Sequence, residues 1–348
     1  MLNSGIHWDF ILAFTVVLIS LPVLIHLAPG LGLVDHPDER KHHAGSVPLV
    51  GGVAIFLAML LVLGIQYIDQ SGIKEMLAGG LLLVVIGVID DRDHIHPRYR
   101  FLVQILAACL MIFGAEVLLR DFGQLIGAWE FELKWAAIPI TAFCVVGVTN
   151  AANMIDGIDG LSASLFLVCL AGLGLAINDA SGGLNSAPEI LVMAGALLAY
   201  LLFNLRFPWR KNALTFFGDA GTLLLGFIMA WLLVRYSQGP NRTIAPVTAL
   251  WLFAVPLLDT VFLMIKRKLE GKSMVKADRC HLHHAFLKSG WSVNATLAII
   301  VFISVELAGI GLLFEWAQVP EYMSFYAFLL VAGVYYFGMR RFWKKIEQ

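Results

Sequence analysis

Apolar runs recur along the whole chain, separated by short polar stretches. They lie near residues 8–29, 48–68, 76–90, 101–119, 136–152, 161–178, 189–205, 220–236, 246–265, 294–314 and 324–340. A helix crossing ~30 Å of hydrocarbon needs roughly 20 mostly apolar residues, and about 17 suffice. The pattern therefore predicts about eleven transmembrane helices, the third and fifth of them short. No internal repeat or low-complexity linker divides the chain, so residues 1–348 are read as one domain of an all-α polytopic membrane protein. No Lys or Arg precedes the first run and no small-residue cleavage site follows it. It is read as a retained span, not a removable signal.

Composition agrees with this pattern. The chain is 59% hydrophobic and 14% charged, with a mean hydropathy of +0.81, whereas a soluble domain is about half apolar and about a quarter charged. A net charge of −1 carries no electrostatic footprint for nucleic acid. Three of the four cysteines fall in apolar runs and form no disulfide framework. The cationic residues orient the chain. Of the 24 Lys and Arg, 19 fall in 30–47, 90–100, 150–160, 206–219, 266–293 and the tail 340–348, and the alternate loops hold the other five. The cation-rich set is read as cytoplasmic, which places the N-terminus in the periplasm and the C-terminus in the cytoplasm.

The polar clusters lie in the same cytoplasmic loops. Asp90 and Asp91 adjoin at the end of the third run. Neighbouring carboxylates repel unless a cation compensates, and Mg²⁺ binds through one or two carboxylates plus phosphate oxygens and water. A solvated helix end with local ion pairs is the plainer reading. In "NAANMIDGIDGL", Asn150, Asn153, Asp156 and Asp159 recur every three residues, which a regular helix would spread around its circumference. Gly157 and Gly160 point to a helix break that gathers these groups, tolerable only where protein or a watery cavity satisfies the backbone. Asp219, after Phe216, Phe217 and Gly218, reads as an ordinary helix cap or as a metal-holding carboxylate beside a phosphate. His281, His283 and His284 follow Lys276 and Arg279; phosphate recognition suits them better than zinc or a merely polybasic surface. Arg40, Lys41, His42 and His43, with Asp35, Gly51 and Gly52, read as a substrate loop or as an orientation signal. Asp259 and Glu306 sit inside apolar runs, where a carboxylate is costly. For Asp259 an ion pair with Lys266 or a hydrogen bond to a neighbouring helix is expected.

In this order the loops "GLVD-P---RK-H", "PLVGG", Asp90 to Ile95, "N--NM-DGIDGL", "F-GDAG" and "DR-H-HH" resemble the polyprenyl-phosphate N-acetylhexosamine-1-phosphate transferase superfamily, glycosyltransferase family 4, over almost the whole chain. His281-Leu282-His283-His284 after Asp278-Arg279 is similar to its undecaprenyl-phosphate N-acetylglucosamine branch, not to the cell-wall branch acting on muramoyl-pentapeptide. The resemblance implies transfer of N-acetylglucosamine 1-phosphate from UDP-N-acetylglucosamine to undecaprenyl phosphate. UMP would leave, and lipid-linked surface polysaccharide of the O-antigen or enterobacterial common antigen type would begin. It implies Mg²⁺, or Mn²⁺ in its place, on Asp219 and Asn153, and catalytic roles for Asp90, Asp91, Asp156, Asp159 and His281. Substrate contacts are implied at Asp35, Arg40, Lys41, Asn150, Gly157, Leu161, Asn204, Phe216, Arg279, His283 and His284. Membrane lipid is an expected partner, a second copy of the chain is left open, and the implied location is the bacterial inner membrane. Another UDP-N-acetylhexosamine or UDP-linked muramoyl-pentapeptide donor keeps the same chemistry. The rival readings are a cation-coupled transporter, which broken helices and buried acids would suit, and a lipid scaffold without catalysis.

Overall fold

The computed structural model describes residues 7–35, 45–127, 129–181, 183–240, 242–271 and 280–347. Thirteen α-helices account for most of them. These are α1 (Trp8–Leu31), α2 (Gly51–Gln66), α3 (Ile73–Asp93), α4 (Pro97–Cys109), α5 (Ala137–Ile155), α6 (Leu161–Ser181), α7 (Pro188–Asn204), α8 (Gly218–Ser237), α9 (Pro246–Leu252), α10 (Ala254–Leu269), α11 (Leu282–Lys288), α12 (Val293–Trp316) and α13 (Glu321–Glu347). The one described sheet pairs β1 (Val34–Asp35) antiparallel with β2 (Val47–Pro48). Each apolar run predicted from sequence contains a helix, with two differences in form. The fourth run ends early: α4 passes into a π turn over Leu110–Gly114, and the chain then leaves the helix. The ninth run is two helices, α9 and α10, bent by 84° at a short break. Continuous apolarity hides that break, and Pro256 in the first turn of α10 is the local mark of a new helix start.

By length and composition, seven helices are apolar and long enough to cross a membrane, or eight if the bent pair counts as one span. That is fewer than the eleven runs. α2 and α7 are shorter apolar helices of 16 and 17 residues, and α3 ends in the charged stretch Asp90–Asp93.

α8 is the centre of the bundle. It is apolar on all sides, as a helix buried on all sides should be, and most of its residues are buried, with Trp231 and Phe227 among the largest. It packs on α3, α5 and α2. Small residues make this close approach possible, as is usual where helices cannot rely on a hydrophobic drive in lipid. A Cβ on Gly52 would strike Gly221, one on Gly87 the backbone of Ala220, and one on Gly226 the Cα of Thr149. All three contacts draw α2, α3 and α5 onto α8, two of them at its first turn. A second apolar cluster joins the ends of α5 and α6 to α10, α11, α12 and α13 through Ile155, Leu161, Phe262, Ile300 and Trp343.

Candidate active site

The polar residues read from sequence meet where the C-terminal ends of α3 and α5 reach the N-terminal end of α8. The apolar stretch of α3 stops at Ile89, and Asp90 and Asp91 stand beyond it. Gly218 opens α8 with φ +68°, and a Cβ there would collide with the Asp91 carboxylate. The side chain's absence lets Asp91 accept the N–H groups of Asp219 (2.7 Å) and Ala220 (3.3 Å). Asp91 is therefore the N-cap of a helix 128 residues away in sequence, and Asp219, itself in the first turn, is left facing outward from that cap.

Asp219 is the hub. Its Oδ1 lies 2.5 Å from Asn153 Nδ2 and 3.2 Å from Arg100 Nη1. Asn153 Nδ2 also donates to Thr222 Oγ1 at 2.8 Å, and Arg100 reaches Asp90 Oδ2 at 2.7 Å. Two carboxylates, Asp90 and Asp219, thus share one guanidinium, with Asp91 close behind on the α8 backbone. Burial, reinforced by Asp219, pushes Asp90 up to about 6. Burial pushes Asp91 up to about 7, with Asp219 raising it further against the two backbone N–H bonds. The sequence reading missed Arg100, because Arg98 and Arg100 look like ordinary positive-inside flanks. Its position one turn into α4, opposite two aspartates, was the available signal.

The helix break expected in "NAANMIDGIDGL" comes later than the spacing suggested. α5 runs through Asn150 and Asn153 to Ile155, and only Asp156 to Gly160 are non-helical. Burial pushes Asp156 up to about 7, helped by the charges of Asp159 and Asp219, which ties this turn electrostatically to the hub. Asp159 is paired with Arg206 at 2.5 Å. Gly160, at φ +81°, donates its N–H to Asn204 Oδ1 at 2.6 Å, while Asn204 Nδ2 holds Thr215 O at 2.8 Å.

Several residues expected to contact substrate make structural contacts. Asn204 ties two loops together, as above. Asn150 Nδ2 donates to Gln104 Oε1 at 3.0 Å and to Val146 O at 2.8 Å. Leu161 is fully buried in the second apolar cluster. Phe216 bridges to Leu49, its backbone taking the Gly51 N–H at 3.0 Å. Asp35 lies in the β1–β2 ribbon. Arg40, Lys41 and Arg279 lie outside the described residues.

The histidines close the other side. His281, His283 and His284 have ring centroids 4.2–5.7 Å apart, with the rings of His281 and His283 nearly parallel. His283 is fully buried, both ring nitrogens lack a hydrogen-bond partner, and Nε2 packs where a Cβ of Gly157 would be. Burial, with the neighbouring His284 and His281, pushes its imidazole well below the usual histidine range. The missing Cβ at Gly157 is what lets this ring reach the Asp156 turn. Asp259 does bond a neighbouring helix, through Tyr335 of α13, and also His281. Glu306 is exposed on α12, away from this cluster. Among the described residues no group of three or more His, Cys, Asp or Glu is arranged to hold a metal ion, so the zinc reading has no ligand set there.

Fold and site together define a polytopic helical membrane protein with an acidic centre at helix ends, flanked by arginine and histidine. The chain belongs to glycosyl transferase family 4, whose model matches residues 73–237. It is 36% identical to undecaprenyl-phosphate alpha-N-acetylglucosaminyl 1-phosphate transferase of Escherichia coli (strain K12) over 321 residues, 91% of this chain and 86% of that protein. The protein of the same name from Salmonella typhi is 36% identical over 337 residues, 96% of this chain and 90% of the relative. That from Haemophilus influenzae (strain ATCC 51907 / DSM 11121 / KW20 / Rd) is 34% identical over 327 residues, covering 94% and 92%.

Proposed function

We propose that the protein transfers N-acetylglucosamine 1-phosphate from UDP-N-acetylglucosamine to undecaprenyl phosphate at the inner membrane, releasing UMP and starting a lipid-linked surface polysaccharide. The observation that carries this reading is the hub itself: Asp219 held between Asn153 and Arg100, beside Asp90. Family membership and the name shared by the relatives support the acceptor and the transferred group. The acids cluster at helix ends, and the sequence carries no internal repeat, which favours a transferase over the transporter reading.

The donor set fits a hard divalent cation. Asp219 and, through its amide oxygen, Asn153 would hold the ion, and oxygen ligands of this kind suit Mg²⁺ or Mn²⁺. Arg100 is the guanidinium paired to Asp90 and Asp219. Two protein ligands suffice when diphosphate oxygens and water complete the shell. When bound, the ion neutralises diphosphate charge and so lowers repulsion toward an anionic nucleophile. The chain's own residues do the rest. Asp91 fixes the first turn of α8 and so the direction of Asp219. Arg100, released from Asp219, pairs with the acceptor phosphate, while Asp90 orients it. The Asp156 turn and the histidines hold the nucleotide side. Both reactants are anions already, so positioning and charge compensation supply most of the rate.

The test uses purified protein in proteoliposomes with undecaprenyl phosphate and a panel of UDP-sugars, lipid products being identified by mass. The expected product is lipid carrying one extra N-acetylhexosamine phosphate from UDP-N-acetylglucosamine. EDTA should abolish it, Mg²⁺ or Mn²⁺ should restore it, and Asp219→Asn should lose about 10²-fold or more in turnover. Activity unchanged by EDTA would remove the metal, and preference for another UDP-sugar would replace the donor.

A further inference from the structure

Asp259 lies in the second turn of α10 and is 1% exposed. A carboxylate so placed is costly unless donors satisfy it. Three do. Oδ1 accepts the Leu282 backbone N–H and the Tyr335 hydroxyl, each at 2.8 Å, and Oδ2 lies 2.7 Å from His281 Nδ1. Lys266, two turns further along α10, lies instead 3.7 Å from Glu270 Oε1 and 3.0 Å from Cys280 Sγ.

This arrangement points to the site of the His281 proton. Oδ1 is occupied by two donors, the Leu282 N–H and the Tyr335 hydroxyl, and Oδ2 of the same carboxylate faces Nδ1, so the pairing is that of a carboxylate oxygen accepting an Nδ1 hydrogen. With Nδ1 committed, Nε2 is the ring atom left for another molecule, as a lone pair in the neutral ring or a second donor in the protonated one. The same carboxylate holds the ring and the next backbone N–H, fixing both the side chain and the strand of chain that bears it. Stacking of the His281 ring on His283, at 5.3 Å and 9°, fixes the plane. His283 in turn rests on Gly157, next to Asp156.

We infer that Asp259, itself held by Tyr335, is the positioning residue for His281, presenting His281 Nε2 to the diphosphate of the nucleotide donor. The inference rests on the proposed function for what His281 meets, and on geometry alone for how His281 is held. It also gives α13, otherwise remote from the hub, a part in the site through Tyr335.

The test pairs a spectrum with a double-mutant cycle on the full-length protein in detergent. With ¹⁵N-labelled histidine, and His281→Gln to assign the signal, wild-type His281 should show a protonated Nδ1; a ring protonated at Nε2 alone would overturn the pairing. Asp259→Asn should lower kcat by about 10²-fold, the scale of a misplaced group, with KM for UDP-N-acetylglucosamine changing less than kcat. Tyr335→Phe removes one donor and should cost roughly threefold to tenfold. In a His281→Ala background Asp259→Asn should cost little more, because the two act as a unit; losses that multiply would overturn the positioning role. If Asp259→Asn does not fold, the wild-type spectrum and Tyr335→Phe, alone and with His281→Ala, decide. Wild-type turnover in His281→Ala alongside a protonated Nδ1 would overturn the presentation to donor while leaving the pairing intact. Failure of the wild type to use UDP-N-acetylglucosamine would count against the proposed donor, leaving the spectrum to judge the pairing.

Discussion

Arg100 is the residue that most changes how the acidic centre is understood. It contacts Asp90 and Asp219 at once, with a side chain about one-quarter exposed, so it neutralises the cluster and still faces the opening. Its neighbourhood in sequence, "HPRYR", reads as an ordinary positive-inside flank, because the pairing depends on where α8 begins in space. The aspartates themselves were legible, since a carboxylate beside a long apolar run is conspicuous wherever it falls. What sequence could not separate was their roles: Asp91 caps α8 and Asp159 pairs with Arg206, while Asp90 and Asp219 share the charge of Arg100. If Arg100 receives the acceptor phosphate, Arg100→Gln should lose about 10²-fold in turnover. Arg100→Lys should keep part of it, since charge survives but the planar fork does not. A Gln variant with wild-type turnover would take Arg100 out of the site.

The helices bring these groups together through contacts that only small residues allow. Gly87 on α3 and Gly52 on α2 both meet the first turn of α8, the turn that carries Asp219. Sequence displayed these glycines without their partners, because a glycine in a lipid-exposed helix and one in a helix crossing look alike in one dimension. Most helix boundaries were legible to within a few residues from apolarity, the C-terminal ends of α4 and α13 excepted, whereas the α9–α10 break was not, apolarity being continuous across it. Gly87→Leu should force α3 off α8, with a stability loss at the upper end of ~1–3 kcal/mol or beyond, and should abolish turnover by separating Asp90 from Asp219. Gly147→Leu on α5, where nothing lies within 4 Å, is the control and should leave folding and turnover intact. Equal yields and rates for the two variants, measured in detergent, would show that the α3–α8 approach does not hold the site.

At the scale of the molecule, the proposed reaction asks a membrane protein to bring a lipid phosphate together with a soluble nucleotide sugar. A centre at helix ends, flanked by cationic loops, meets that demand in one place. The charge asymmetry then predicts that a reporter fused after Gln348 is cytoplasmic and one placed before His7 is periplasmic. Both reporters on one side would require an even number of crossings and move the centre relative to the nucleotide.

The central claim is that the bond made is to phosphorus. Residues that gather on a diphosphate and align a phosphate nucleophile are built for attack at the β-phosphorus, which preserves the sugar–phosphate bond. A sugar transferase of the ordinary kind would attack the anomeric carbon and release UDP. UDP-N-acetylglucosamine labelled in its β-phosphate, given to purified protein with undecaprenyl phosphate, separates the two in one measurement. The account predicts that the label moves to the lipid, that unlabelled UMP leaves, and that excess UMP drives the label back, since one pyrophosphate linkage replaces another. Label recovered in UDP, with the lipid carrying only its original phosphate, would contradict it.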